Sequence, residues 1–467
     1  MKRRIVEIEE PLVPKILPPE REPVCRVGLV LEQDNKNEIE IVLSKGEYII
    51  EENKSQKLFK NKKAKHLIFS VVDDTILCKE LSGKEVLKSN SFVKVRKSEG
   101  KKIIEPKSGI LIKGVVAGRG FHWQKEVDLF FSGELEFHQR NAKLIVVNEI
   151  PLEDYLICVV TSEMSSECPP EFLKAQATAA RSWMVVFLKE KHRGVPYSIC
   201  NDDCCQRYQG TTHLSKGVAE IVGQSKGVYI ITEEGYVCAS YYSKSCGGII
   251  EKASNIFGEG SIGFSDSIDA PENSQTERFN PVTEKNIREW VNGDWISRSD
   301  GFCSPQTCPE ESLPRYLGAV DVAGRYYRWK EVYTQNEMVE LLKNKAKIDD
   351  IDEFLGFRPI LRGNSGRLHE LEILYRTLDG KDKSLRICSQ YEIRFALHTK
   401  FLFSSAFIWD FEKDKNGKIK KITLQGAGWG HGSGLCQIGA LGMALKKYSY
   451  EEILKHYFNK TTLKKIY

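Results

Sequence analysis

The chain has 467 residues, 41% hydrophobic and 10% aromatic, a globular composition long enough for about two to three ordinary cores. Its 69 basic and 64 acidic residues leave a net charge of +5 with the lysines scattered, which excludes the concentrated basic stripe of a nucleic-acid binder. No run reaches the roughly 18 apolar residues of a membrane-spanning helix, so no transmembrane segment is predicted.

Residues 1–24 read as a charged, Pro-containing, extended lead. The lead opens on a basic cluster, but acidic residues and prolines stand where the apolar stretch of an export signal would run, so no export signal is visible. Short alternating runs follow (RVGLVL, EIEIVL, KHLIFSVV, FVKVR, GILIKGVV), separated by Lys/Asn/Gly turns. Their period of two predicts a small β domain over 25–107. A second domain over 108–467 begins with more strands, in VDLFF, ELEFH and AKLIVVNEI. PLEDYLICVVTSEM then places Leu152, Tyr155, Leu156, Val159 and Val160 on one helical stripe, with Pro151 suited to the first turn. A second helix starts at Pro169-Pro170 and is apolar nearly all round, which predicts burial. Residues 275–405 mix helical and strand patterns and read as an insertion. The chain closes on a Gly-rich segment, GAGWGHGSGLCQIGALGMALKK, and a short helix, YEEILKHYF. The fold class expected is α+β.

Two charged residues stand out in the helices. Glu163 continues the apolar stripe of the first one, where burial would raise its pKa into the range of a general acid. A solvent-facing carboxylate at a helix end is the plainer alternative. Arg181 lies among apolar neighbours and requires a buried partner, either in a structural ion pair or in a site with Glu163 or substrate. Thirteen cysteines, an odd number, include Cys200, Cys204 and Cys205 as C-x3-C-C, with His192 just upstream. Thiolates and imidazole so close together suit tetrahedral zinc, and three buried thiols are the alternative. Cys303 and Cys308 form a weaker second pair. Five alternating glycines from Gly426 to Gly434 surround Trp429 and His431 and fit either a tight structural crossing or a ligand loop.

IPLEDYLICVVTSEMSSECPPEFLKAQATAARSW resembles the signature of the SpoIID/LytB family. YYSKSCGG, GWGHGSGLCQIGALGMA and YEEILKHYFNKT resemble three further family blocks, in the same order. The resemblance implies a peptidoglycan lytic transglycosylase that cleaves MurNAc–GlcNAc bonds to 1,6-anhydro ends. Glu163 would be its acid and base, with Arg181 on the family's AAR arginine. Gln176, Tyr242, Ser243, Ser245, His431 and Gln437 would then contact substrate in the cleft. Some members carry C-x3-H-C-Q-x-Y and bind zinc there, which implies a structural zinc on Cys200, Cys204, Cys205 and His192, with Cys204 in place of the histidine. Tyr242, Cys246 and Cys436 depart from the family's usual His, Gly and Ser. The family also implies action in the cell envelope, on glycan strands. Its LytB-type members imply a second possibility, a non-catalytic enhancer of a partner cell-wall amidase. An intracellular metal or redox protein would suit the missing export signal but leaves the Glu163 helix unexplained.

Overall fold

In a computed structural model the described residues are 13–52, 55–61, 63–98, 104–120, 124–258, 268–318, 321 and 324–467. The first half of the extended lead therefore lies outside them, and residues 13–23 carry no helix or strand.

The alternating runs form two sheets. The strand Glu38–Leu43 buries Ile39, Ile41 and Leu43 and turns its intervening residues outward, as a half-buried strand must. It lies inside a six-stranded antiparallel sheet, between Lys65–Val72 and Ile110–Ala117. A seven-stranded sheet has Val24–Val30 paired with Lys143–Pro151, followed by Glu134–Arg140 and Val93–Lys97.

The expected boundary at 107 is corrected by this pairing. Ile110–Ala117 and Lys125–Phe131 complete the sheet that Glu38–Leu43 begins, and Lys143–Pro151 is a central partner of the first strand. Strand pairing is non-local, and a boundary placed between consecutive runs misses it. The β layers continue to Pro151 and share one hydrophobic core with the helices, since Val27, Ile41 and Phe69 belong to the same cluster as Leu156, Val160 and Phe172.

Two helices follow, α1 (Leu152–Glu163) and α2 (Pro170–Phe187). Pro151 supplies the extended residue before α1, and every residue of the helix except Asp154 is buried. Ala175, Ala177, Ala179 and Ala180 are fully covered and let α2 approach its neighbours closely. The expected insertion has a separate core, built from Trp329, Leu342, Phe354, Ile373 and Leu424. It extends past residue 405, because Phe407–Lys413 and Ile419–Ala427 pair with each other, and the latter also pairs with Arg328–Thr334. The chain then returns to the main core, where Leu435–Cys436 pairs in parallel with Tyr242–Ser243, followed by helices Gln437–Leu445 and Tyr450–Tyr457. The fold is α+β. Among the described residues no helix is long and apolar enough to cross a membrane.

Candidate active site

Glu163 is the last residue of α1, because Met164 turns extended and bridges to Leu317. The carboxyl lies in the core with 7% of its surface exposed. Oε1 accepts two hydrogen bonds, from the Tyr242 hydroxyl at 3.0 Å and from the Arg207 backbone N–H at 3.0 Å. Among the described residues Oε2 has only a long contact, 3.5 Å to Gln437 Nε2, which lies equally far from Gln176 Oε1. The proton of the neutral acid therefore belongs on Oε2. Burial pushes the Glu163 carboxyl up from its ordinary value, against the opposing charges of Arg207 and Lys244.

Beside the carboxyl lies a part-buried ion network. Lys244 Nζ donates to the Glu163 carbonyl at 2.9 Å and to Asp321 at 2.7 Å. It thus places a cation at the C-terminus of α1, where open carbonyls and the helix dipole attract one. Arg207 pairs with Asp203 at 2.6 Å and with Asp321 at 2.6 Å. Burial alone would raise Asp321, but Lys244 and Arg207 hold its carboxyl down at about 2. Both carboxylates near Glu163 are thus committed to ion pairs, whereas the Glu163 carboxyl has no such partner among the described residues and is raised by burial.

Several sequence-predicted site residues have other work. Arg181 does not reach Glu163. Fully buried, it forms a bidentate pair with Glu153 at 2.6 and 2.8 Å and donates to the Val228 carbonyl. Glu153 opens α1 and Glu163 ends it, so the two sites are separated by about 15 Å of helix. Ser243 and Ser245 are buried, and their hydroxyls accept the backbone N–H groups of Gly432 and Gly247. They hold the paired loops together. His431 donates from Nε2 to the Tyr242 carbonyl at 3.0 Å and accepts the Ser433 N–H at Nδ1. Burial and then Arg367 push its pKa down to about 3, so it stays neutral and positions Tyr242. Gln176 and Gln437 do lie beside Glu163, and Gln176 Nε2 has no hydrogen-bond partner among the described residues.

Arg207, Lys244 and Asp321 were missed. The first two stand inside the motifs CCQRYQG and YYSKSCGG, whose residue types were their only signal; Asp321 had none. An open groove between Lys252, Pro281, Leu361 and Asn364 contains none of the residues around Glu163.

The four expected metal ligands converge. His192 Nε2 lies 3.3 Å from Cys205 Sγ and 3.9 Å from Cys204 Sγ, and Cys204 lies 2.9 Å from Cys200 and 3.9 Å from Cys205. All four donor atoms fall within 4.8 Å of one another. A tetrahedral zinc with bonds of about 2.0–2.3 Å sets its ligand atoms about 3.6–3.8 Å apart, so the donor set fits with the Cys200–Cys204 edge compressed. The loop that follows is bolted to the helices: Gln206 accepts from Tyr155 and donates to the Ala180 carbonyl, and the Gln209 N–H donates to Ser162. This brings the Arg207 N–H to Glu163.

Residues 140–231 match the family described as Stage II sporulation protein, SpoIID, and residues 302–434 match a domain of unknown function. The chain is 28% identical to an uncharacterised protein of Brachyspira hyodysenteriae, over 70% of this chain and 71% of that protein. It is 26% identical to Stage II sporulation protein D of Bacillus amyloliquefaciens, over 67% of this chain and 74% of the relative. A match to the Amidase enhancer of Bacillus subtilis is 26% identical over 65% of this chain and 39% of that protein. The first match spans Glu163, Arg181 and the four converging residues His192, Cys200, Cys204 and Cys205, whereas Tyr242, Lys244 and Gln437 lie beyond it.

Proposed function

Because the chain carries a SpoIID domain and belongs to the SpoIID/LytB family, we propose that it is a peptidoglycan lytic transglycosylase with Glu163 as its single acid and base. The relatives support a cell-wall-related role, and we place its action in the cell envelope, on glycan strands. The observation that carries the finer reading is a buried, raised carboxyl with two donors on Oε1 and only the long Gln437 contact on Oε2. The Oε2 proton passes to the glycosidic oxygen as the bond from C1 of MurNAc breaks. The C6 hydroxyl of the same sugar then attacks C1, and its proton returns to Glu163. Acid and carboxylate are one group used in sequence, so no second free carboxylate is required, unlike the paired acids of hydrolytic glycosidases. The test is turnover of purified glycan strands, run beside an assay for stimulation of a cell-wall amidase.

A second reading rests on Glu163 being 7% exposed with protein donors on its bound oxygen, an arrangement that also suits a glycan-holding amidase enhancer. Stimulation of amidase without any strand cleavage would select it.

Donation requires the protonated acid, so cleavage should fall as pH rises through the raised Glu163 pKa. Tyr242→Phe removes a donor that favours the carboxylate, and the alkaline limb of the kcat/KM profile should move to higher pH. An unmoved limb would separate Tyr242 from the acid.

We further propose that His192, Cys200, Cys204 and Cys205 hold a structural zinc, closed by four protein ligands and taking no part in the chemistry. Its role is to fix the loop that delivers the Arg207 N–H. Cys200→Ser should lose one zinc equivalent and melt at a markedly lower temperature, whereas Cys204→His should keep both metal and stability. Unchanged metal content in Cys200→Ser would refute the site.

A further inference from the structure

A second cluster of donor residues lies in the core, and two of them, Cys246 and Cys436, stand where the sequence departs from the family's pattern. Cys246, Asp269, Cys303 and Cys436 are all buried, and their donor atoms fall within 4.8 Å of one another. Cys246 Sγ lies 3.8 Å from Cys303 Sγ and 3.2 Å from Asp269 Oδ2. A disulfide requires about 2.05 Å between sulfurs, whereas two thiolates on one tetrahedral zinc stand about 3.8 Å apart. Cys308, close to Cys303 in sequence, turns away to the Phe302 and Ile438 carbonyls.

The surroundings suit thiolates. Cys436 Sγ accepts the backbone N–H groups of Cys246 and Gly439, each at 3.3 Å, and Cys246 Sγ accepts that of Gly248. The second oxygen of Asp269 is fixed by the Tyr457 hydroxyl at 2.6 Å, the outer contact that orients a metal-bound carboxylate. His456 Nε2, 3.9 Å from the same oxygen, has no hydrogen-bond partner among the described residues. The wall is tight, because a Cβ on Gly439 would stand 2.4 Å from an Asp269 oxygen.

Charge gives an independent argument. Arg367 is fully buried and donates to the carbonyls of Gly430, Cys246 and Ser245 and to the Ser365 hydroxyl. Half-buried Arg328 donates to the Gly247, Tyr327 and Trp290 carbonyls. Neither makes an ion pair with a carboxylate among the described residues. A dication held by three thiolates and one carboxylate carries a net double negative charge, opposite in sign to these two guanidinium groups, of which Arg367 also faces the buried Glu251 through the Ser365 hydroxyl they share.

We propose that Cys246, Asp269, Cys303 and Cys436 bind a second structural zinc-type cation, distinct from the one at His192. It clamps four segments together. Cys246 follows the strand that carries Tyr242, Cys436 precedes Gln437, Asp269 lies just before the insertion and Cys303 in its first part. The ion thus ties both loops that reach Glu163 to the insertion, whatever reaction Glu163 performs.

The test is metal content of the full chain, grown with zinc or cobalt and kept reduced, for wild type, Cys303→Ala and Cys200→Ser. Cys303→Ala should carry one equivalent fewer than wild type. The ion remaining in Cys200→Ser should show X-ray absorption from three sulfurs and one oxygen, and intense thiolate-to-cobalt bands in the cobalt form. Should Cys303→Ala not fold, the Cys200→Ser measurement decides alone. Equal metal in wild type and Cys303→Ala, or a metal-free Cys200→Ser, would overturn the site. So would a Cys246–Cys303 disulfide in the wild-type peptide map.

Discussion

Glu163→Gln is expected to lower strand cleavage at least 10²- to 10⁴-fold, the usual contribution of a positioned acid or base, while leaving a folded, glycan-binding protein. The amide keeps the shape of the side chain, and its oxygen can still accept from Tyr242 and Arg207, so the surrounding donors stay satisfied. What disappears is the proton on Oε2 and the carboxylate that takes one back. Stability gives the second half of the prediction. A carboxyl whose folded pKa is raised by burial contributes stability at low pH that is lost as pH rises through that folded value. The substituted amide does not ionise, so above that pH the variant should be at least as stable as wild type. Turnover within tenfold of wild type would remove Glu163 from the chemistry, and a collapsed fold would make it a structural carboxylate.

Arg181→Ala should do the opposite, costing stability with no separate effect on the chemical step. Removing one partner of a buried, bidentate ion pair leaves the other charge uncompensated, typically at a cost of about 3–5 kcal/mol. The partner left behind is Glu153, which Arg181 holds below the ordinary carboxylate range in spite of burial. Glu153 also accepts from the Gly227 N–H and the Tyr467 hydroxyl, so the loss should spread to the C-terminal strand Thr461–Lys465, paired with Val228–Thr232. Chemical denaturation should show a lower midpoint, and the fraction that remains folded should cleave at the wild-type rate. A variant of wild-type stability that fails to turn over would return Arg181 to the site.

The contrast between these two residues shows what a sequence carries and what it leaves out. Glu163 was legible because an apolar stripe places it in the core and a short motif surrounds it. Arg181 was equally visible as a buried charge, but helical periodicity gives a face and not the end of the neighbouring helix that the face meets. Lys244 meets Glu163 across a separation of 81 residues and Asp321 across 77, which no local pattern encodes. The cluster at His192 spans 14 residues and could be read from spacing, whereas Cys246, Cys303 and Cys436 are brought together only by the fold. Ser243 and Ser245 were assigned to the cleft because their motif lies near it. Their buried hydroxyls accept the N–H of Gly432 in the facing loop and of Gly247 in their own. The β layers were predicted strand by strand, but the domain boundary failed because the sheets pair early strands with late ones.

Purified glycan strands digested with the wild-type chain and separated by mass should yield fragments ending in 1,6-anhydro-MurNAc, each one water lighter than its hydrolysed counterpart, with Glu163→Gln yielding none. Fragments with ordinary reducing ends would contradict the single-carboxyl mechanism, and intact strands bound by a folded wild-type protein would contradict catalysis itself.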